Sequence, residues 1–456
     1  MPAKTRPVLA ARLSRPFQRF SAWNAGGGIV LLVSAVVAIV LANTAWHGAV
    51  ESFWQTPLSL GIGASTFVMP LRTVISDGLM AVFFLLVGLE IKGELLVGSL
   101  STVRTAALPL AGALGGMLVP AAIYAFVNRG APSIHGWGIP TATDIAFALG
   151  ILAMLGSRVP SAVLVFLSAL AIADDLGAVL IISLFYGHAP DIAYLSYAGL
   201  VMVLLLVSNL SGVAWRSVYA LLGLCLWYFV LRSGVHSTVA GVLLAAMVPA
   251  RSRIEATRFE ETVERRLDDF ARATGDDARP VLSNGGQQRA LAAIEEACED
   301  AQPPLAHLRH QLHVPVNFYI MPCFALANAG VSFTHRGPAP LPLVGTVSIG
   351  IILGLVIGKP LGILLGSWIA TRLGAELPAA TSWTTMAGVS CLAGIGFTMS
   401  LFVSGLAFPS SVLLEQAKFG IVIASILAGS LGASVIWAAT ATRPLRSGPP
   451  LPSLAD

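Results

Sequence analysis

The chain has 456 residues, 56% of them hydrophobic and only 11% charged, with a mean hydropathy of +0.80. Soluble domains carry about 25% charged residues, so two or three soluble domains are excluded and a polytopic membrane protein remains. The net charge of +4 comes with no basic stripe interleaved with aromatics, which excludes nucleic acid as an expected partner.

The four cysteines (Cys225, Cys298, Cys323, Cys391) are far apart and form no CxxC, and the eight histidines form no HExxH. Neither a disulfide framework, a zinc site nor a cofactor is implied. Only four of the 27 basic residues are lysines: Lys4, Lys92, Lys359 and Lys418. In so arginine-rich a chain, a lysine inside a span invites a chemical reason, because an ammonium can lose its proton when buried and a guanidinium essentially cannot.

Residues 1–20 carry five basic residues and no acid ahead of an apolar run from Gly26 to about Thr44. The run is longer than a signal-peptide core, and the basic segment suits a cytoplasmic anchor, so it is read as span I with the N-terminus inside. The connection from about Trp46 to Arg72 reads as neither helical nor charged. Its FWQTPLSLGIGASTFVM stretch allows either a small hairpin around a Gly-rich turn or an irregular loop.

Further apolar segments follow at about 20 residues each, the length a ~30 Å core requires. Span II covers roughly 73–95, III 106–126, IV 138–155, V 160–186, VI 193–208, VII 215–231 and VIII 234–249. Spans IX (314–333), X (342–370), XI (382–407) and XII (415–439) come after a polar stretch. Cytoplasmic loops would hold Arg104, Arg158, Arg216, the 251–309 cluster, Arg372, Arg443 and Arg446, against only Arg72, Arg129, Arg232 and Arg336 outside. The expected organisation is therefore a cytoplasmic tail with spans I–VIII (1–250), an extended cytoplasmic loop (251–310), spans IX–XII (311–440) and a cytoplasmic tail (441–456). Twelve of the 23 acids fall between Arg251 and Asp300. There, two charged helical segments flank a breaker-rich linker, and Pro303–Pro304 closes the second.

Several spans carry charge at membrane depth. Span II ends in VFFLLVGLEIKGELLVGSL, with Glu90 and Glu94 four apart on one face; an interfacial collar and a functional site are both open. Span IV reads GWGIPTATDIAFALG. Its Pro140 and the Thr141–Asp144 run predict an unwound helix, tolerated only where backbone is buried or lines a watery cavity. Span V holds the adjacent pair Asp174–Asp175. Each carboxylate at a helix centre costs on the order of 2.5–3.5 kcal/mol on insertion scales, and packing alone supplies no reason for two. His236 opens span VIII in SGVHSTVAG, where capping, packing or pH sensing would all suit it. Span X places Lys359 mid-span before Pro360, and a buried lysine needs a partner: Asp174, Asp175 or Asp144. Asp174 and Asp175 point about 100° apart, so one can face a cavity while the other pairs with the lysine. In span XI, Gly394 and Gly396 are either a close-packing contact or a second interruption. Paired interruptions in matching positions of two three-helix units, III–V and X–XII, are a pointer to a transporter site.

The strings LLVGLEIKGEL, IPTATDIAFALGILAMLGSRVP, ALAIADDLGAVLI, SGVHSTVAG, FALANAGV, IGKPLG and GIGFTMSLF resemble the NhaA-type bacterial sodium/proton antiporters across essentially the whole chain. Inverted repeats are known in that family, so the paired interruptions and the resemblance are one signal. The resemblance implies an all-α membrane protein of twelve transmembrane helices, with inverted three-helix repeats and interrupted helices IV and XI. It implies Asp175 as the principal ion- and proton-carrying carboxylate beside Asp174, with Thr143 and Asp144 in the broken helix and Lys359 pairing with Asp174 and compensating the half-helix dipoles. Glu90 and Glu94, with His236, are the pH-response candidates. It further implies a bacterial inner-membrane protein with both termini cytoplasmic, a homodimer, the lipid bilayer as surroundings, and Na+ or Li+ and H+ as transported ions. The chain departs from the pattern in four ways: Gly93 stands where relatives carry arginine, Arg309 where an acid is often found, Val314–Pro315 takes the place of the more usual Pro–Trp, and the cytoplasmic loop is longer.

The expected chemistry is competition. Two acids in a low-dielectric cavity titrate as a coupled unit, and a hard cation prefers oxygen ligands such as these carboxylates and Thr143. Such a chain is a secondary antiporter rather than an enzyme. An intramembrane aspartyl protease would need its acids on separate helices, with a GxGD string in a span. A cation-coupled symporter of related fold would show more Asn, Gln or Arg within its spans. A purely structural scaffold fails on the cost of the buried charges.

Overall fold

The computed structural model describes residues 26–62, 65–156, 159–187, 189–213, 215–252, 254–274, 284–333, 343–379, 381–409 and 412–441. The basic segment 1–20, the C-terminal tail beyond 441, Arg158, Arg336 and the linker around Gly275–Asp276 lie outside the described residues. Among the described residues, six helices are long and apolar enough to cross a membrane, or nine if each sharply bent pair counts as one span. Helix is the form expected here, because in hydrocarbon every backbone N–H and C=O must be satisfied within the segment.

Helix α1 (Gly26–Ala42) turns by 117° into α2 (His47–Trp54). This corrects the expectation that the I–II connection is neither helical nor charged. An eight-residue helix is marginal alone, so its pattern is too weak to read. Here Glu51 on α2 takes two hydrogen bonds from Arg72, at 3.0 and 2.8 Å, which ties the helix to the far end of the connection. Between them runs the hairpin: β1 (Pro57–Ile62) pairs antiparallel with β2 (Ser65–Pro70), Pro57 opposite Pro70 and Ile62 opposite Ser65.

Helix α3 (Leu71–Leu96) contains a π-turn at Val74–Leu79. It is followed by α4 (Val103–Val127), whose N-cap Thr102 accepts from the Thr105 N–H. A 3-10 helix (Pro132–Thr141) and α5 (Ile145–Met154) meet at a 41° break. Next come α6 (Ser161–Phe185), α7 (Ile192–Leu210), α8 (Arg216–Arg232) and α9 (Val239–Met247). The chain reverses between α8 and α9 at Gly234, whose φ of 84° lies in the left-handed region that L side chains avoid. Span VIII, expected from 234, is therefore helical only from Val239.

Helices α10 (Ala256–Thr274) and α11 (Gly285–Ala301) are the two charged helices expected in the polar loop, and they pack on each other. Their base is closed by Ile254 N–H to Asp300 C=O at 3.4 Å and by Leu305 N–H to Pro249 C=O at 3.0 Å. Pro304 does more than close α11. It is the first residue of α12 (Pro304–Pro315), ten residues ahead of the expected start of span IX, because proline at the first helical position sacrifices an N–H that has no partner anyway. A π-turn (Val316–Ile320) leads into α13 (Met321–Asn328).

Helix α14 (Thr346–Arg372) runs as one span through a π-turn at Gly354–Gly358, directly before Lys359 and Pro360. The widened turn accommodates a proline that lacks an N–H for the preceding turn. Helices α15 (Trp383–Ala393) and α16 (Phe397–Ala407) meet at a 44° break, and α17 (Val412–Ala441) completes the set. One continuous apolar core ties the broken pairs to α1, α3, α6, α14 and α17. At its centre Phe402 of α16 meets Phe84 and Phe324, with ring centroids 5.7 and 6.1 Å away.

The crossing of α4 and α14 sets the position of Lys359, and it is made of bare backbone. A Cβ on Gly362 would lie 2.1 Å from Gly115 O, and one on Gly366 2.0 Å from Ala111 O. No rotamer change can relieve a backbone clash, so Gly362→Ala should push the helices apart and destabilise the protein by at least about 1–3 kcal/mol. A thermal melt of detergent-purified protein checks this; an unchanged midpoint would mean the two helices are not held at this spacing.

Candidate functional site at the crossing of two broken helices

The breaks at 142–144 and 394–396 lie against each other. The Asp144 N–H donates to the Ile395 carbonyl at 2.7 Å, Thr143 Oγ1 donates to the Ala393 carbonyl at 2.8 Å, and Ser400 Oγ donates to the Ile139 carbonyl at 2.8 Å. Orphan carbonyls at one break are thus satisfied by donors from the other. Both readings of the span XI glycines hold: the helix is interrupted there, and a Cβ on Gly394 would sit 2.4 Å from Leu355 O.

Asp144 caps two helices with one carboxylate. Its Oδ1 accepts from Phe147 N–H at 3.0 Å on α5, and its Oδ2 accepts from Thr398 N–H at 3.1 Å on α16, as well as from Thr398 Oγ1. A negative group between two helix N-termini offsets their partial positive charge. At the opposite pole, Lys359 Nζ donates to the Thr141 carbonyl, where the 3-10 helix ends and the partial charge is negative.

Lys359 also reaches α6, donating from Nζ to Asp174 Oδ2 at 2.5 Å. Both side chains are buried, 1% and 2% exposed. Asp175, one residue on, points elsewhere. Among the described residues, Asp174 Oδ1 and both carboxylate oxygens of Asp175 are buried and accept no hydrogen bond. The structure therefore brings Asp174, Asp175 and Lys359 together beside the unwound segment containing Thr143 and Asp144. A buried carboxylate without a donor is strongly disfavoured as an anion, so these three oxygens call for a proton or a cation.

The chain matches the family model described as Na+/H+ antiporter 1 over residues 18–436. The chain belongs to that family. A Na(+)/H(+) antiporter NhaA 2 of Syntrophotalea carbinolica is 45% identical over 96% of this chain and 99% of its own length. Proteins named Na(+)/H(+) antiporter NhaA from Syntrophobacter fumaroxidans and Acidithiobacillus ferrooxidans are 44% and 46% identical, covering 93% and 92% of this chain and 90% and 96% of theirs. Family and apolar helices together make it a multi-pass membrane protein.

In this family member Glu94 and His236 are held by partners outside the carboxylate pair. Glu94 Oε2 accepts from Ser99 N–H at 2.7 Å and Ser99 Oγ at 2.8 Å, closing the turn after α3. Glu90 lies one turn earlier. His236, just ahead of α9, lies beside the other end of α3: Nδ1 is 2.9 Å from Thr238 Oγ1, Nε2 is 4.0 Å from Asp77 Oδ1, and the ring stands edge-on to Phe402 at 5.3 Å. Asp77 and Glu94 are 17 residues apart, about 25 Å along a helix. Thr398 and Ser400 were not singled out from the sequence, although both lie in the GIGFTMSLF string. Two hydroxyls directly after a double-glycine break, in a half-helix whose other hydroxyl is Ser404, were the available signal.

Proposed function

We propose that this protein is an electrogenic secondary antiporter that exports Na+ or Li+ in exchange for protons, serving sodium and pH homeostasis. The observation that carries the reading is the set of three buried carboxylate oxygens on Asp174 and Asp175 that have no donor among the described residues. Asp175 is the principal carrier. Protonated, it is neutral in the apolar core; deprotonated, it offers oxygens to a small hard cation. The two states exclude each other, so alternating access exchanges one ion for the other, with more protons than sodium per cycle. Asp174 shares the site while paired to Lys359. Asp144 and Thr143 hold the crossed breaks at the site's edge and contribute oxygens and charge balance. Glu90, Glu94 and His236 tune the pH response from the two ends of α3.

The same reading sets twelve spans with III–V and X–XII as inverted repeats, both termini cytoplasmic, in a bacterial inner membrane. It keeps the division at 250, 310 and 440, with 251–310 as a cytoplasmic appendage, and a homodimer joined through the β1–β2 hairpin. A related cation-coupled symporter is not favoured, since the curated relatives bear antiporter names.

The test is proton flux in everted membrane vesicles on adding Na+, Li+ or K+ across pH 6.5–9. Na+ and Li+ should each dissipate a preformed pH gradient, and K+ should not. No response to Na+ at any pH would sink the assignment.

A further inference from the structure

Helices α10 and α11 pack on each other, but they handle their charges differently. Along α10 five acids alternate with four arginines, and the helix answers much of its own charge. Arg266 meets Asp269 at 3.3 Å, and Arg272 meets Asp268 and Asp269 at 4.0 and 3.8 Å. In α11 four acids stand against one arginine, and all four fall within Glu295–Ala301. Arg289 is turned the other way, donating from Nε to the Gly285 carbonyl at 3.0 Å. No basic residue lies in the last turn of α11, where a helix carries partial negative charge and favours cations. Leu291, Ala292, Glu295 and Glu296 make one exposed strip on it, opposite the buried Gln287, Ala290 and Ala297.

The complement lies in this chain's own sequence. Residues 1–20 carry Lys4, Arg6, Arg12, Arg15 and Arg19, interspersed with Leu9, Leu13, Phe17 and Phe20, and no acid precedes Glu51. A Cβ on Gly27 would stand 3.2 Å from Asn317 Cβ, so α1 begins against the π-turn that follows α12. At the other end of α12, Leu305 N–H bonds the Pro249 carbonyl at the base of the α10–α11 pair. Leu305 and Asn317 are 12 residues apart, about 18 Å along a helix. The 25 residues ahead of Gly26 can span up to about 80 Å. Reach is ample.

We propose that the exposed acidic and apolar strip of α11 is the docking surface for this chain's own N-terminal segment, residues 1–20. This rests on the reading that both lie on the cytoplasmic side. Each exposed ion pair changes a bound-to-free ratio by only about 1.4- to fivefold, too little to hold a free peptide. A tether supplies an effective concentration in the millimolar range, so a few such pairs with leucine and phenylalanine contacts suffice. The contact ties the polar loop to α1, where a Cβ on Gly28 would lie 3.2 Å from the Ala146 carbonyl of α5, two residues past Asp144.

The test is the distance between spin labels at Ser14→Cys and Arg289→Cys in the purified full-length protein, with the four native cysteines replaced by serine. At low salt a narrow, short-distance population should dominate. It should broaden at about 1 M salt, where charges are screened beyond about 3 Å. Glu295→Gln with Glu296→Gln should cut the ratio of docked to undocked molecules by roughly two- to thirtyfold. Both sites are exposed and glutamine is a good helix former, so the melting temperature should not move. Arg12→Glu with Arg15→Glu should have the same effect, and combining it with Glu295→Lys and Glu296→Lys should restore the short distance. A short distance indifferent to salt and to the glutamine pair, or no rescue by the charge swap, would overturn the docking. So would a signal that vanishes on dilution with unlabelled protein, which would make the occupant a second copy. A short distance seen only in anionic vesicles and unaffected by substitutions on α11 would assign the segment to lipid and overturn it too. An impermeant thiol reagent reaching the two cysteines from opposite faces of sealed vesicles would sink the shared side and the docking together. Both reached from one face, with no short distance at low salt, would sink the docking alone.

Discussion

Asp175→Asn should abolish Na+-driven proton movement in proteoliposomes while leaving the folded protein intact. The amide is isosteric with the carboxylate it replaces, and it neither binds a proton reversibly at accessible pH nor presents an anionic oxygen to a cation. Because neither Asp175 oxygen accepts a hydrogen bond among the described residues, the substitution breaks no native contact. Removing a buried, unpartnered acid should leave the melting temperature level or slightly higher. Loss of transport with retained stability is the signature of a carrier group. Wild-type exchange from the Asn variant would refute the role given to Asp175, and a collapsed melt would make the residue structural.

Lys359→Ala should behave in the opposite way, with stability suffering first. The ammonium holds Asp174 Oδ2 at 2.5 Å and also the carbonyl that ends the 3-10 helix. Truncation leaves a buried carboxylate and a helix C-terminus with no positive charge. Breaking a buried pair by removing one partner typically costs about 3–5 kcal/mol, a large share of a marginal stability. The readout is the thermal midpoint of purified protein. Adding Asp174→Asn to Lys359→Ala should recover much of the loss, because the uncompensated charge disappears with the acid. A double variant no more stable than Lys359→Ala alone would mean that the lysine acts mainly on the Thr141 carbonyl.

Much of this site was legible because charge in hydrocarbon is costly enough to stand out. Asp174, Asp175 and Lys359 could be picked from the apolar runs without any structure, and Pro140 with Thr141–Asp144 announced a break. The choice among three acids for the lysine stayed open from the residues themselves, with only the resemblance pointing to Asp174. It depends on the height at which α14 passes α4, and that height is set by Gly115, Gly362 and Gly366 allowing backbone contact. The role of Asp144 was also hidden. Its two oxygens serve α5 and α16, and the second of these lies some 250 residues away. The short α2 escaped because eight residues carry too little periodicity, and its clamp, Arg72, lies 21 positions on. The early start of α12 escaped because Pro303–Pro304 reads as a stop, while proline is equally suited to a helical first turn.

From the order of residues alone came the solvent, the helical class, the break in span IV and the acids that stand out by their cost in hydrocarbon. Each follows from a local energy, the transfer of a group into hydrocarbon, that depends on residue type and immediate neighbours. Folding was needed to bring Lys359 Nζ onto Asp174 Oδ2, to leave the Asp175 oxygens without a hydrogen bond among the described residues, to cross the two breaks so that Asp144 caps both, and to bring Arg309 beside Gly93. Those outcomes depend on distances between segments remote in the chain. They are settled by close packing of helices, for which no local pattern in the sequence is a substitute.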